Sequence, residues 1–176
     1  MAAAKTDAEP NWREEIYQAI KELEIKQVHY VPDAGHSHVI DKCLADPDIE
    51  AGMLANEFEG VGVCCGAWLG GQRAALLMQS SGIGNTINAL GLATSGRFPF
   101  FPIITMRGEW GEFNPWQLHG GQSAEKILEA SGVIVMRANY AHEVAEMVLA
   151  GARLAFHSYC PVAVLIGQRV IGAKVF

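Results

Sequence analysis

The sequence predicts an α/β fold: a doubly wound, mostly parallel six-stranded sheet with helices on both faces, in one domain. Three observations predict it. Short apolar runs alternate with segments of helical period along the chain. The apolar runs are continuous rather than alternating, as in strands buried on both faces, and such strands are mostly parallel. Finally, 176 residues at 50% hydrophobic and 18% charged fill one core, with no repeat, low-complexity tract or linker. The domain is taken as 1–176, with residues 1–10 a flexible lead.

Each element follows in order. Residues 11–25 read as a helix, because Trp12, Ile16, Ala19, Ile20 and Leu23 recur at helical spacing with charges between them. Residues 27–31 are a short strand ended by Pro32. A helix over 36–44 is closed by Asp46-Pro47-Asp48. A strand over 51–55 leads through Asn56-Glu57-Phe58-Glu59 into a helix over 60–70. Residues 74–78 are a strand, 79–85 a loop and 86–94 a helix. A strand over 100–105 contains Pro102, which shortens it. Residues 107–121 read as an irregular loop, after which Ser123 caps a helix to Ala130. A strand over 133–136, a long helix over 141–157 and a strand over 162–166 complete the chain.

Composition removes several function classes. With 13 basic and 19 acidic residues the net charge is −6, and no Lys/Arg cluster offers a nucleic-acid footprint. The charge-free run 74–96 is long enough for a membrane span, but Gln79, Ser80, Ser81, Asn85 and Asn88 lie within it. A buried strand, a polar loop and a helix explain it better. The first ten residues lack an apolar signal-peptide core, so a cytoplasmic protein is expected. Cys43, Cys64, Cys65 and Cys160 show no C-x-x-C spacing and read as reduced, buried thiols.

Glu57 sits where a buried strand hands over to a helix. Ligands of open α/β sheets bind at such carboxyl ends. Burial there raises a carboxyl pKa while the helix dipole lowers it, so the group can hold or pass a proton. The plain alternative is that Glu57 and Glu59 are acidic residues of a first helical turn. Ser81, Gly82, Gly84 and Asn85 follow a strand and open a helix, where backbone N–H groups can approach an anion. No Lys completes a P-loop, so an ordinary strand–helix turn is equally compatible. Gly60, Gly62 and Gly66 have the wrong spacing for a dinucleotide fingerprint and are read as allowing tight helix packing. His36 and His38 with Asp33 are read as a polar cluster at a cleft mouth rather than a metal site, because they start a helix. The stretch from Arg107 to His119 gathers Trp110, Phe113 and Trp116. Such a long aromatic loop serves a ligand, a subunit interface or both.

Taken together these pieces resemble one family. They are Val31-Pro32-Asp33, Ala55-Asn56-Glu57, Glu59-Gly60-Val61-Gly62, the run from Ala75 to Leu90, Arg107-Gly108 and the closing run from Pro161 to Ile166. From about Val28 to Val170 the chain resembles the pyrimidine-binding domain of thiamine-diphosphate-dependent 2-oxo acid decarboxylases, nearest the sulfopyruvate and phosphonopyruvate decarboxylases. The resemblance implies that Glu57 hydrogen-bonds the aminopyrimidine ring of thiamine diphosphate and activates it. It also implies that Pro32, Ser81, Gly82, Gly84 and Asn85 help to bind the cofactor. No metal ligand is expected in this chain.

The sequence carries no Gly-Asp-Gly segment followed by an Asn, the family's pattern for Mg2+ and diphosphate. The resemblance then implies a beta-type partner subunit that binds them, an assembly of at least α2β2, and a chain inactive alone. A small 2-oxo acid with a second anionic group is the implied substrate, met by His36, His38, Arg107 or His119. The aromatic loop would equally suit a bulkier or aromatic group. From another class, the chain would be a non-catalytic flavodoxin-like module binding a nucleotide or a partner.

Overall fold

A computed structural model of the protein describes residues 11–173. The expected flexible lead, residues 1–10, lies outside the described residues. Six strands form one all-parallel sheet in the order β2-β1-β3-β4-β6-β5. They are β1 (Ile25–Tyr30), β2 (Glu50–Met53), β3 (Arg73–Gln79), β4 (Pro102–Thr105), β5 (Ile134–Ala138) and β6 (Val162–Ile166). Between and around them run α1 (Trp12–Glu22), α2 (Ser37–Ala45), α3 (Glu57–Leu69), α4 (Ile83–Gly96), α5 (Trp116–Ala130), α6 (Val144–Ser158) and α7 (Gln168–Ile171).

The two-residue period of the strands divides the core in two. Ala75, Leu77, Ile103, Val162, Val164 and Ile166 join α1, α2 and α6 on one face. Their neighbours Ala74, Leu76, Ile104, Ala163 and Leu165 join α3, α4 and α5 on the other. Both faces of β3, β4 and β6 are apolar at their central positions, which is why those strands read as unbroken runs. After β1 the chain goes one way to β2, then returns past β1 to β3. The crevice between the carboxyl ends of β1 and β3 is therefore the topological switch point, where such sheets bind ligands.

Several local expectations need correction. The expected loop 79–85 is a 3-10 turn, Ser80–Gly82, running straight into α4. The second half of the expected loop 107–121 is helical, and Ser123 lies inside α5, its hydroxyl donating back to the His119 carbonyl at 2.7 Å. Gly121 lets α5 lie against the backbone of Arg107, whose carbonyl a Cβ there would overlap. Of the α3 glycines only Gly60 serves packing, against Leu76 and Leu54; Gly62 and Gly66 face open space. The short helix α7 went unpredicted. Cys43, Cys64 and Cys65 are buried free thiols and Cys160 is half-buried. No described helix is long and apolar enough to cross a membrane.

Candidate active site at the carboxyl edge of the sheet

Helix α3 begins one turn earlier than its apolar run because Asn56 caps it. Its backbone is extended, and its Oδ1 accepts from the Glu59 N–H at 3.2 Å. The Glu59 carboxylate returns to accept from the Ala55 N–H at 2.9 Å. This reciprocal cap employs Glu59 at the helix start and leaves Glu57, the first helical residue, free of that duty. Glu57 is 7% exposed. It lies against Gly82, where any Cβ would overlap its carboxyl group. Asn85 Nδ2 donates to Glu57 Oε2 at 2.8 Å, the one side-chain hydrogen bond of that carboxylate among the described residues. A buried carboxyl with so little support is expensive unless something else meets it, which marks a functional candidate.

Glu57, Gly82 and Asn85 of the expected cofactor set are thus in direct contact. Ser81 follows the end of β3, its hydroxyl donating to Gln79 Oε1 at 2.8 Å. Pro32 is exposed beyond β1, and Gly84 is exposed in the first turn of α4.

At the switch point Asp33 is held by three donors. Gln79 Nε2 donates at 2.9 Å, Thr105 Oγ1 at 2.6 Å and the Gly35 N–H at 3.1 Å. Beside it opens a hollow of about 170 Å³ whose lining includes Arg13, Asp33, Gly35, Thr105, Arg107 and Gly172. Arg13, Gln79 and Thr105 were not singled out from the sequence. Counting residues to each strand end would have found Gln79 and Thr105; nothing local marks Arg13.

The four candidate substrate residues do not converge. His36 is fully buried, its Nε2 3.1 Å from the Ile103 carbonyl and its Nδ1 without a partner among the described residues. Burial lowers its pKa to about 4, so near neutral pH it is uncharged and donates through Nε2. His38 turns away to Glu14, 2.8 Å distant. The expected polar cluster at a cleft mouth is therefore split, with only Asp33 facing a hollow. Arg107 gives Nε and Nη2 to Glu112 at 2.7 and 2.6 Å. His119 is exposed in the first turns of α5 and shares a second hollow, about 460 Å³, with Ser81, Trp116 and Gln117.

Glu112 explains the aromatic loop. Besides Arg107 it accepts from the Gly108 N–H at 3.1 Å, the Asn114 N–H at 3.0 Å and Gln168 Nε2 at 2.9 Å. With Arg107 foremost, these donors hold its pKa near about 2 against a burial that pushes it up. Gln168, on the unpredicted α7, also accepts from the Glu109 and Trp110 N–H groups at 2.8 and 3.0 Å. The loop is therefore built around a buried carboxylate. It displays Trp110, Phe113 and Trp116 outward, the last 86% exposed. No group of three or more His, Cys, Asp or Glu side chains gathers as a metal site among the described residues.

The chain belongs to the pyruvate flavodoxin/ferredoxin oxidoreductase, thiamine diphosphate-binding family, whose model matches residues 32–174. Particular relatives narrow it. The sulfopyruvate decarboxylase alpha subunit of Methanococcus maripaludis is 36% identical over 89% of this chain and 94% of its own. That of Methanocaldococcus jannaschii is 32% identical over 85% and 89%. A phosphonopyruvate decarboxylase of Streptomyces viridochromogenes is 35% identical over 55% of this chain and 25% of its own. Among solved structures, a 2-oxoglutarate:ferredoxin oxidoreductase from Magnetococcus marinus superposes with a TM-score of 0.70 at 18% identity, over 89% of this chain. The chain spans 28% of that enzyme's length, and the likeness concerns the fold.

Proposed function

We propose that this chain is the alpha-type subunit of a thiamine-diphosphate-dependent decarboxylase acting on a small, sulfopyruvate- or phosphonopyruvate-like 2-oxo acid. The observation that carries the reading is Glu57: a buried carboxyl with one hydrogen-bond partner, against a glycine that leaves it room. Those residues fit the cofactor's pyrimidine. Glu57 holds or passes a proton at a ring nitrogen, Asn85 fixes the carboxyl's orientation, and burial keeps competing water away. Bound thiamine diphosphate supplies the electron sink when carbon dioxide leaves.

The diphosphate and Mg2+ fall to a beta-type partner subunit. Support comes from the missing Gly-Asp-Gly segment and from relatives named as alpha subunits. Trp110, Phe113 and Trp116 serve as anchors for that partner, since exposed aromatics beside a site are typical interface hot spots. The assembly is read as at least α2β2, because two-fold symmetry is the commonest among soluble oligomers.

The test is to express the chain with its partner and compare it with Glu57→Gln. The variant should keep the fold by circular dichroism and lose about 10²- to 10⁴-fold in carbon dioxide release. A fully active Gln variant would overturn the role of Glu57, and full activity from this chain alone would overturn the partner.

A further inference from the structure

We propose that the hollow at the switch point receives the distal anionic group of the substrate, with Arg13 as its charge partner. The inference rests on the decarboxylase reading and adds the residue that selects the acid.

Arg13 is the second residue of α1, and its side chain is fixed in two ways. Its Nε donates to the Gly35 carbonyl at 3.1 Å, and its guanidinium lies 4.1 Å from the centre of the Trp12 ring. Among the described residues no carboxylate forms an ion pair with it, whereas Arg107 is already neutralised by Glu112. Burial lowers the Arg13 pKa and the field of Asp33 raises it, so the charge is partly stripped of water without being paired. A desolvated, pre-oriented guanidinium on the wall of a hollow is a strong partner for sulfonate, phosphonate or carboxylate oxygens.

The hollow's own charges agree. With Arg107 neutralised by Glu112, the hollow sets the Arg13 charge against the single carboxylate of Asp33. Both Asp33 oxygens are engaged by Gln79, Thr105 and Gly35, which pins that charge to one side. The anion sits on the Arg13 side. About 170 Å³ admits a compact tetrahedral or planar anion.

Position completes the case. Asp33 follows β1 and Gly82, which makes room for Glu57, follows β3; the two strands are neighbours. Neighbouring strands lie roughly 5 Å apart. Glu57 and Arg13 therefore lie at the same carboxyl edge, Glu57 on the α3 side of the sheet and Arg13 on the α1 side.

The experiment uses the chain together with its partner. The wild-type complex is assayed with sulfopyruvate and with 2-oxobutanoate, which lacks the distal charge. Arg13→Ala should lower kcat/KM for sulfopyruvate by roughly 30- to 100-fold, the loss expected of one charge-assisted contact. It should change kcat/KM for 2-oxobutanoate by less than about threefold, because no contact to that substrate is removed. Arg13→Gln keeps the length and a donor, and gives the same discrimination should the Ala variant fail to fold. In parallel, 3-sulfopropanoate, an unreactive analogue, is titrated calorimetrically into the wild-type and Arg13 variant complexes. Its binding should weaken as the turnover does. Equal losses on both acids, or analogue binding undiminished without the guanidinium, would overturn the inference. A wild-type complex that binds the analogue through Arg13 yet releases carbon dioxide from neither acid would instead overturn the decarboxylase reading and leave the anion site standing.

Discussion

Two buried carboxylates on the same sheet edge have opposite surroundings. Glu112 accepts five hydrogen bonds: two from Arg107 and one each from Gly108, Asn114 and Gln168. Glu57 accepts one side-chain hydrogen bond, from Asn85. Burial alone makes both look functional. Satisfaction separates them. A carboxylate whose lone pairs are filled by its own chain organises that chain, and it has nothing left for a ligand. One held in place but sparsely bonded is kept for something that arrives later. Gly82 sharpens the difference, since the fold gives up a side chain there to make room for Glu57.

The strongest way to break this comparison is to fill that room. Gly82→Ala places a methyl group where the Glu57 carboxyl lies, and Gly82 itself is buried at the start of α4. The carboxyl must move or the helix must shift. Turnover should fall about 10- to 100-fold from misplacement of the carboxyl, with about 1–3 kcal/mol lost in stability. Gly91→Ala, on an open face of the same helix, is the control and should leave turnover unchanged. Equal turnover in both variants would mean that the Glu57 pocket tolerates what the geometry forbids.

A smaller effect is expected at Glu112, and it should appear in stability first. Its folded pKa of about 2 lies below the ordinary 4.5, so the unfolded chain binds its proton more readily. Its contribution is therefore complete above about pH 4.5 and disappears as pH falls toward 2. It amounts to on the order of 2 kcal/mol at neutral pH. Glu112→Gln should lower the urea midpoint at pH 7 and flatten that acid-side decline. Urea titrations of both proteins between pH 3 and pH 7 check it; parallel curves would show that Glu112 is not the stabilising centre of the loop.

The same contrast explains what could be read from the sequence. The sheet was legible because its strands are apolar on both faces, and β6 falls on the expected residues 162–166. The position of Glu57 was legible because a strand hands over to a helix there. Residues whose meaning depends on distant partners were not. Arg107 looked like a free cation, but its partner Glu112 is held by Gln168, 56 residues further on. His36 looked like an exposed ligand until β4 covered it, its ring reaching a carbonyl 67 residues away. Residues 107–121 looked like loop to the end, because the close approach of Gly121 to Arg107 is invisible in local composition. Arg13 gave no signal, since only the fold brings the start of α1 to the ends of β1 and β4.

The smallest predicted effect asks whether contact, rather than residue type, sets a group's role. Helix α3 carries Gly60 against Leu76 and Leu54, while Gly62 and Gly66 have no atom near their missing Cβ. A helical glycine costs about 1 kcal/mol relative to alanine through backbone entropy, and nothing among the described residues offsets that at the two open positions. Gly62→Ala and Gly66→Ala should each stabilise the isolated chain by about 0.5–1 kcal/mol, raising the melting midpoint by about 1–4 °C. Gly60→Ala should instead destabilise it, because Leu76 Cδ1 would lie 2.7 Å from the new Cβ. Thermal melts of the three variants decide the point. If all three destabilise alike, the open face of α3 is closer packed than the geometry gives. If the Gly62 and Gly66 variants melt higher alone yet no longer assemble with the partner subunit, those glycines are kept for a surface that arrives from outside, as we propose for Glu57.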